Sequence, residues 1–213
     1  LKLHEKSDGI DKAESYFFSS IQKFMKSEKS RLPAMIDNIC GVDASYRGKN
    51  VVAVASLFIN GELRETGVYS GNLTFPYVTG LLYLHEGPFA IAAIKKLRSM
   101  PQLICFDGHG LAHPRSMGLA TICGMVIGIP SIGICKSPLV GRSIRYKEGL
   151  EKIIYKNRTV GFVSRFSNKP RYLSPGYSVN LRELESIMQR YGHICLKAME
   201  ESDRFAKKEI TKA

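Results

Sequence analysis

A chain of 213 residues with 44% apolar and 23% charged residues has an ordinary globular composition, which excludes a disordered or fibrous protein and fits one domain spanning 1–213. No run reaches the roughly 18 apolar residues of a membrane span, and the start, LKLHEKSDG, carries no apolar signal core. The 31 Lys and Arg against 19 Asp and Glu leave a net charge of +12, which points to a polyanionic partner or an acidic membrane surface.

Residues 11–28 set Tyr16, Phe17, Ile21 and Phe24 at helical spacing, so an amphipathic helix is expected there. Residues 36–46 (IDNICGVDASY) read as a strand with Asp43 in its interior, where a carboxylate is costly unless partnered by a cation or a metal ion. Val51–Ile59 and Glu62–Ser70 flank Asn60-Gly61, a strong hairpin signal, and complete a three-stranded antiparallel meander. Residues 79–100 have helical periodicity, with Glu86 beside a break that Pro88 imposes.

Leu103–Phe106 is a short apolar strand ending at Asp107, and Ser131–Cys135 ends likewise at Lys136. Strand ends of open α/β sheets are where ligands bind, so an acid and a base meet an open edge. From Lys136 to Arg171 ten cations face two acids, Glu148 and Glu151, among Tyr146, Tyr155, Phe162 and Phe166. Cations and aromatic faces in this mixture suit a nucleic-acid strand. Strands follow at 158–166 and 171–173, and a helix at about 180–208 opens on a capping box, Asn180 with Glu183. The order predicts an α/β fold: a mixed sheet, with the meander followed by parallel strands, flanked by helices.

Asp43, Glu86 and Asp107 come from three elements, each unusually placed, and could hold a hard cation such as Mg²⁺ against a phosphodiester. Two other chemistries compete. His109 and His113 could ligate zinc if they were helical, although Gly110 and Pro114 favour a loop, where His113 could equally satisfy backbone groups. Cys105 or Cys135 could serve as a thiol nucleophile, although both sit in apolar runs. The five cysteines, an odd count, suggest buried thiols in a reducing cytoplasm.

Four blocks, GVDASY (41–46), TFPYVTGLLYLHEGP (74–88), DGHGLAHPRSMGLA (107–120) and IPSIGICKSPLVG (129–141), resemble the endonuclease V family, with weaker similarity on to SPGY at 174–177. The resemblance implies a ribonuclease H-like fold and a Mg²⁺-dependent endonuclease, with Mn²⁺ as a substitute ion. Such an enzyme recognises inosine in DNA and cuts on its 3′ side, and inosine-containing RNA is an alternative substrate. It implies a cytoplasmic monomer without membrane attachment. Asp43, Glu86 and Asp107 then match the metal-binding acids, Lys136 a lysine near the scissile phosphate, and His113 a histidine of the lesion-binding turn. Pro76, Tyr77, Val78 and Thr79 fall in the strand-separating wedge, and Leu82, Gly108 and Leu139 in the base pocket. The chain departs from the family at Thr79, where a second proline is common, and at Tyr177, often histidine. A C-terminal histidine of some members is matched by Lys207 within Asp203–Lys207. A nucleic-acid-binding module without catalysis and a ribonuclease H-type nuclease of other specificity are the competing readings.

Overall fold

The computed structural model describes residues 20, 21, 23, 30–165 and 169–212. The helix expected at 11–28 lies outside them except at Ser20, Ile21 and Lys23, which are helical. In chain order the elements are β1 (Asn38–Arg47), β2 (Asn50–Ile59), β3 (Glu62–Asn72), α1 (Leu82–His85), α2 (Gly87–Ile94) and β4 (Leu103–Phe106). Then come α3 (Leu119–Ile127), β5 (Ser131–Cys135), β6 (Arg142–Lys147), β7 (Leu150–Tyr155), β8 (Arg158–Ser164), β9 (Arg171–Pro175) and α4 (Leu181–Ile210).

The strands form one sheet in the order β3-β2-β1-β4-β5-β9-β8-β7-β6. The expected meander is β1 to β3, and Asn60 and Gly61 both take positive φ, as a two-residue hairpin turn requires. β4 pairs parallel with β1 and β5 parallel with β4. β9 then joins β5 antiparallel, and β8, β7 and β6 continue as a second antiparallel run. The sequence reading missed β6 and β7. Every residue of β6 is exposed, so no buried apolar row marks it, and Arg142, Arg145 and Lys147 guard it as a sheet edge.

Strand alternation divides the core. Cys40, Val42, Ile104 and Phe106 pack on one face with α2 and α3. Ile39, Leu103, Cys105 and Ile132 pack on the other against Leu184, Ile187 and Cys195 of α4, which starts at the expected capping box. α4 approaches β1 closely because a Cβ on Gly41 would lie 2.3 Å from the Ala198 backbone, and Ser202 Oγ donates to the Gly41 carbonyl at 2.7 Å. This contact brings the last turns of α4 to the part of β1 that carries Asp43.

The helical segment expected over 79–100, broken beside Glu86, is two helices that meet at that break. Glu86 stands between them as the last cap of α1 and the first of α2, and Pro88 occupies the first turn of α2, where its missing N–H costs nothing. Gly80, with φ of +82°, holds the chain in a turn before Leu82, and the second helix ends at Ile94 rather than Met100.

Candidate functional site

The register of the sheet brings the strand-end residues together. Val42 lies opposite Phe106 in the β1–β4 ladder, so Asp43 and Asp107 follow side by side, and the Asp107 N–H donates to the Val42 carbonyl at 3.1 Å. Asp43 continues the row of Ile39 and Gly41, Asp107 that of Leu103 and Cys105, and Lys136 that of Ile132 and Ile134. All three therefore belong to the α4 side of the sheet. Lys136 Nζ stands 3.5 Å from Asp107 Oδ2 and 3.3 Å from Asp203 Oδ1 of α4. Asp43, Asp107, Lys136, Arg171 and Asp203 line a recess of about 100 Å³.

Asp203 is the residue that sequence reasoning failed to single out. It sits in a charged stretch near the end of α4, and matching that stretch to the family set Lys207, not Asp203, at the place of the C-terminal histidine. In the structure Lys207 pairs with Asp203 Oδ2 at 2.6 Å. The available signal was spacing: Asp203 follows buried Ser202 and lies four and five residues beyond the buried pair Ala198 and Met199, so its position meets β1.

Electrostatics set this cluster apart. Burial, then the charge of Asp107, pushes the Asp43 carboxyl up to about 7 even though Asp43 Oδ1 accepts the Ala44 N–H at 2.8 Å. Burial, then Asp43 and Asp107, pushes Glu86 up to about 8, and the Tyr46 hydroxyl donates to Glu86 Oε1. Burial also raises Asp107, against the pull of Lys136. Burial alone would raise Asp203, but hydrogen bonds from Lys207, Asp43 and Lys136 bring it below the usual carboxylate range. Lys136 is drained by burial yet held above its ordinary value by Asp107 and Asp203, so it is a cation at neutral pH.

Such a donor set suits a hard divalent cation, whose charge would reverse the repulsion that raises these carboxyls. Among the described residues no three His, Cys, Asp or Glu side chains stand grouped as ligands. Tyr46 on Glu86 and Lys136 on Asp107 are the partners with which an ion would compete.

The remaining expected site residues form a second group. Pro76, Tyr77, Val78 and Thr79 lie on an exposed loop between β3 and α1, with Tyr77 65% exposed and edge-on to His85 at 5.9 Å. His85 is buried and anchored through Nδ1 to the Phe75 carbonyl at 2.6 Å. His113 is buried in the loop after β4; its Nε2 meets the Gly80 carbonyl at 3.1 Å and its Nδ1 accepts the Arg115 N–H at 3.2 Å. Burial and the neighbouring Arg115 lower His113 to about 4, so it is neutral at physiological pH. None of its hydrogen bonds reaches the carboxylates. Gly108 is needed for packing, since a Cβ there would lie 2.7 Å from Leu119. Leu82 and Leu139 are half-buried, Leu82 against the core and Leu139 in the loop after β5.

The competing chemistries lose their geometry. His109 and His113 lie in a loop without a helix to align them. All five cysteines are buried and free, and burial drives the Cys105 and Cys135 thiols well above their ordinary value, which makes them inert.

The Endonuclease V family model matches residues 20–196. The chain belongs to the Endonuclease V family. It is 35% identical over 179 residues to endonuclease V of Thermosipho melanesiensis, covering 80% of this chain and 79% of that one. Endonuclease V from Streptomyces avermitilis superposes with a TM-score of 0.78 at 26% identity, over 92% of this chain and 93% of that one. A Ciona intestinalis endonuclease V, solved with a 24mer DNA containing an inosine followed by a ribo-adenosine, shares the fold with a TM-score of 0.75 at 19% identity, over 94% and 99% of the two chains. The fold is ribonuclease H-like.

Within this endonuclease V scaffold, Tyr177 is a core residue, 4% exposed, with its backbone tied to Ser131. The cation-rich segment forms the β6–β7–β8 run, but its aromatic faces are partly spent inside the protein. Phe162 is buried, and Tyr146 stacks on it at 6.1 Å while Lys152 Nζ covers the ring at 3.8 Å. Phe166 lies outside the described residues. What this surface offers a strand is charge more than stacking. Among the described residues no helix is long and apolar enough to cross a membrane.

Proposed function

We propose that this chain is a Mg²⁺-dependent endonuclease, acting as a monomer, that recognises inosine in DNA and hydrolyses a phosphodiester bond on its 3′ side. The observation that carries the reading is that Asp43 and Asp107 leave β1 and β4 side by side next to the protonated Lys136, while Glu86, buried between two helices, is near enough for both charges to raise it. Asp43, Glu86 and Asp107 would hold Mg²⁺, which would supply water activation and charge stabilisation at the leaving 3′ oxygen. Lys136 neutralises a non-bridging oxygen of the scissile phosphate, and Asp203 keeps its ammonium aimed there. Tyr77, on an exposed loop, fills the space of an extruded base, which offsets part of the few kcal/mol that unstacking costs. His113 braces that loop through Gly80, while Leu82, Gly108 and Leu139 shape the pocket for the extruded base.

The DNA of the Ciona complex carries a ribo-adenosine after its inosine, which favours inosine-containing RNA as a second substrate. Incubating the full chain with Mg²⁺ and labelled strands bearing one inosine, in DNA and in RNA, tests both. A single cut 3′ of inosine, lost in EDTA and on adenine controls, is expected. Uncut inosine strands across pH and salt would falsify the nuclease reading and leave a binding module.

A further inference from the structure

A second, larger recess lies apart from the carboxylates. It has a volume of about 570 Å³, within the range of about 300 to 1,000 Å³ of small-molecule sites. Its walls come from the loop after β4, from α3, from the β7–β8 turn and from the segment around β9. None of Asp43, Glu86, Asp107, Lys136, Leu82, Gly108, His113 or Leu139 lines it.

Three observations describe its chemistry. First, its charged lining residues are Lys156 and Arg158, with no acid among the walls. Neither cation has a carboxylate partner among the described residues, whereas Lys147 and Arg165 on the same antiparallel run are paired with Glu185 and Glu151. Cations left unpaired around an acid-free recess favour an anion.

Second, the wall opposes apolar surface to hydroxyls. Leu111, Val160 and Val179 give a body that could hold a flat ring, and Tyr155 lies beside them under Lys156, 5.2 Å from its ring centroid. Thr121, 1% exposed, lines the same recess, and its Oγ1 is buried with no hydrogen-bond partner. Buried polar groups are nearly always satisfied, so an unmatched hydroxyl closed off just behind the recess wall is a group that a ligand parting that wall would complete.

Third, backbone strain gathers here. Of five non-glycine residues with positive φ among the described residues, Ser116 and Lys156 line the recess, and Asn157 and Ser178 adjoin lining residues. Lys156 and Asn157 are the two central residues of the β7–β8 turn, where Asn or Gly is favoured; a lysine kept at such a position holds its charge at the rim despite the strain.

We propose that this recess binds a nucleotide unit, with its phosphate at Lys156 and Arg158 and its base against Leu111, Val160 and Val179 within reach of Thr121. An inorganic anion would use the cations alone and leave the apolar wall uncovered. The unit is either a free mononucleotide or one residue of a strand, and both present the same phosphate, sugar and base. Because Leu111 and Ser116 share a loop with His113, an occupant would also stiffen the brace on Gly80.

Calorimetric titration of the full chain in EDTA, with adenosine 5′-monophosphate, inorganic phosphate and an inosine-free tetranucleotide, tests the assignment. Binding of the mononucleotide tighter than phosphate is expected, weakened about tenfold in Arg158→Ala and several-fold in Thr121→Val. Thr121→Val removes an unpartnered hydroxyl, so its melting temperature should not fall, and a loss of binding in it cannot come from unfolding. If only the tetranucleotide binds, with the same losses in both variants, the source is a strand and the site stands. Phosphate binding as tightly as the mononucleotide, or binding unchanged in both variants, overturns it. Normal cleavage of inosine strands with no nucleotide binding removes this site and leaves the nuclease reading intact.

Discussion

His113 Nε2 meets the Gly80 carbonyl at 3.1 Å, and this bond ties the loop after β4 to the loop that carries Tyr77. Because the Arg115 N–H donates to Nδ1, the proton sits on Nε2 and both ring nitrogens are used within the protein. His113 is therefore a brace, and His113→Ala should weaken the preference for inosine over adenine about tenfold while leaving the Mg²⁺ requirement unchanged. The pH dependence has a definite sign. The folded state holds this histidine at about 4, below the ordinary 6.5, so its stability contribution is present above pH 6.5 and is lost as pH falls toward 4. Melting curves between pH 4 and 7 should fall less steeply for His113→Gln than for the wild type.

Asp43 and Glu86 behave in the opposite sense. Their folded values, about 7 and about 8, lie above the ordinary 3.8 and 4.5, so without metal the folded state binds more protons than the unfolded chain. Their contribution is favourable below about pH 4 and is lost as pH rises toward 8. In EDTA the melting temperature should drop by about 5 °C between pH 5 and 8.5, and Asp43→Asn should flatten that slope and melt higher at pH 8. The same substitution should lower cleavage by about 10³-fold, because it removes one of the charges proposed to hold the ion. Protons and metal compete for these carboxylates, so raising Mg²⁺ should move the rise of the pH–rate profile to lower pH. A profile indifferent to Mg²⁺ would argue against carboxylate ligation.

How much of this was legible in the sequence depended on whether local pattern and tertiary position agreed. Leu103–Phe106 and Ser131–Cys135 are buried on both faces and read as unbroken apolar runs, so their ends, and with them Asp107 and Lys136, could be placed to the residue. Asp43 stood out because a carboxylate inside a strand conflicts with its surroundings. Glu86 was marked by Pro88, although only the structure shows that the break divides two short helices. β6 gave no signal because an exposed edge strand buries nothing. Asp203 was hidden for another reason: on a long amphipathic helix a half-exposed acid is ordinary, and only the close seat of α4 on Gly41 makes it part of the site.

Tyr77 offers a test of the wedge. It is 65% exposed and touches His85 edge-on, so the folded protein gains little from it. Tyr77→Ala should leave the melting temperature within about 2 °C of wild type and reduce cleavage of duplex inosine substrate by about 10- to 100-fold, the equivalent of one lost stacking contact. On a single strand, where no pair must be opened, the loss should be smaller. Tyr77→Phe retains the ring and should retain most activity. Equal losses for Tyr77→Ala on duplex and single-stranded substrates would separate the residue from strand opening.

Asp203 and Lys207 can be told apart by substitution, the second being the residue that the sequence match set at the place of the family's C-terminal histidine. Lys136 Nζ is shared between Asp203 Oδ1 at 3.3 Å and Asp107 Oδ2 at 3.5 Å, so Asp203 keeps the lysine from collapsing fully onto a carboxylate proposed to bind metal. In Asp203→Ala the ammonium has Asp107 as its nearest remaining partner and competes harder with Mg²⁺. The Mg²⁺ concentration for half-maximal rate should rise about tenfold, and the maximal rate should fall by a similar factor as the lysine loses its aim. Among the described residues Lys207 bonds only to Asp203, through an exposed pair whose net energy is about 0 to 1 kcal/mol, so Lys207→Ala should change either quantity by no more than about threefold. Mg²⁺ titrations of cleavage on the two variants decide the matter: a large effect confined to Lys207 would give the place of the family's C-terminal histidine to Lys207 rather than to Asp203.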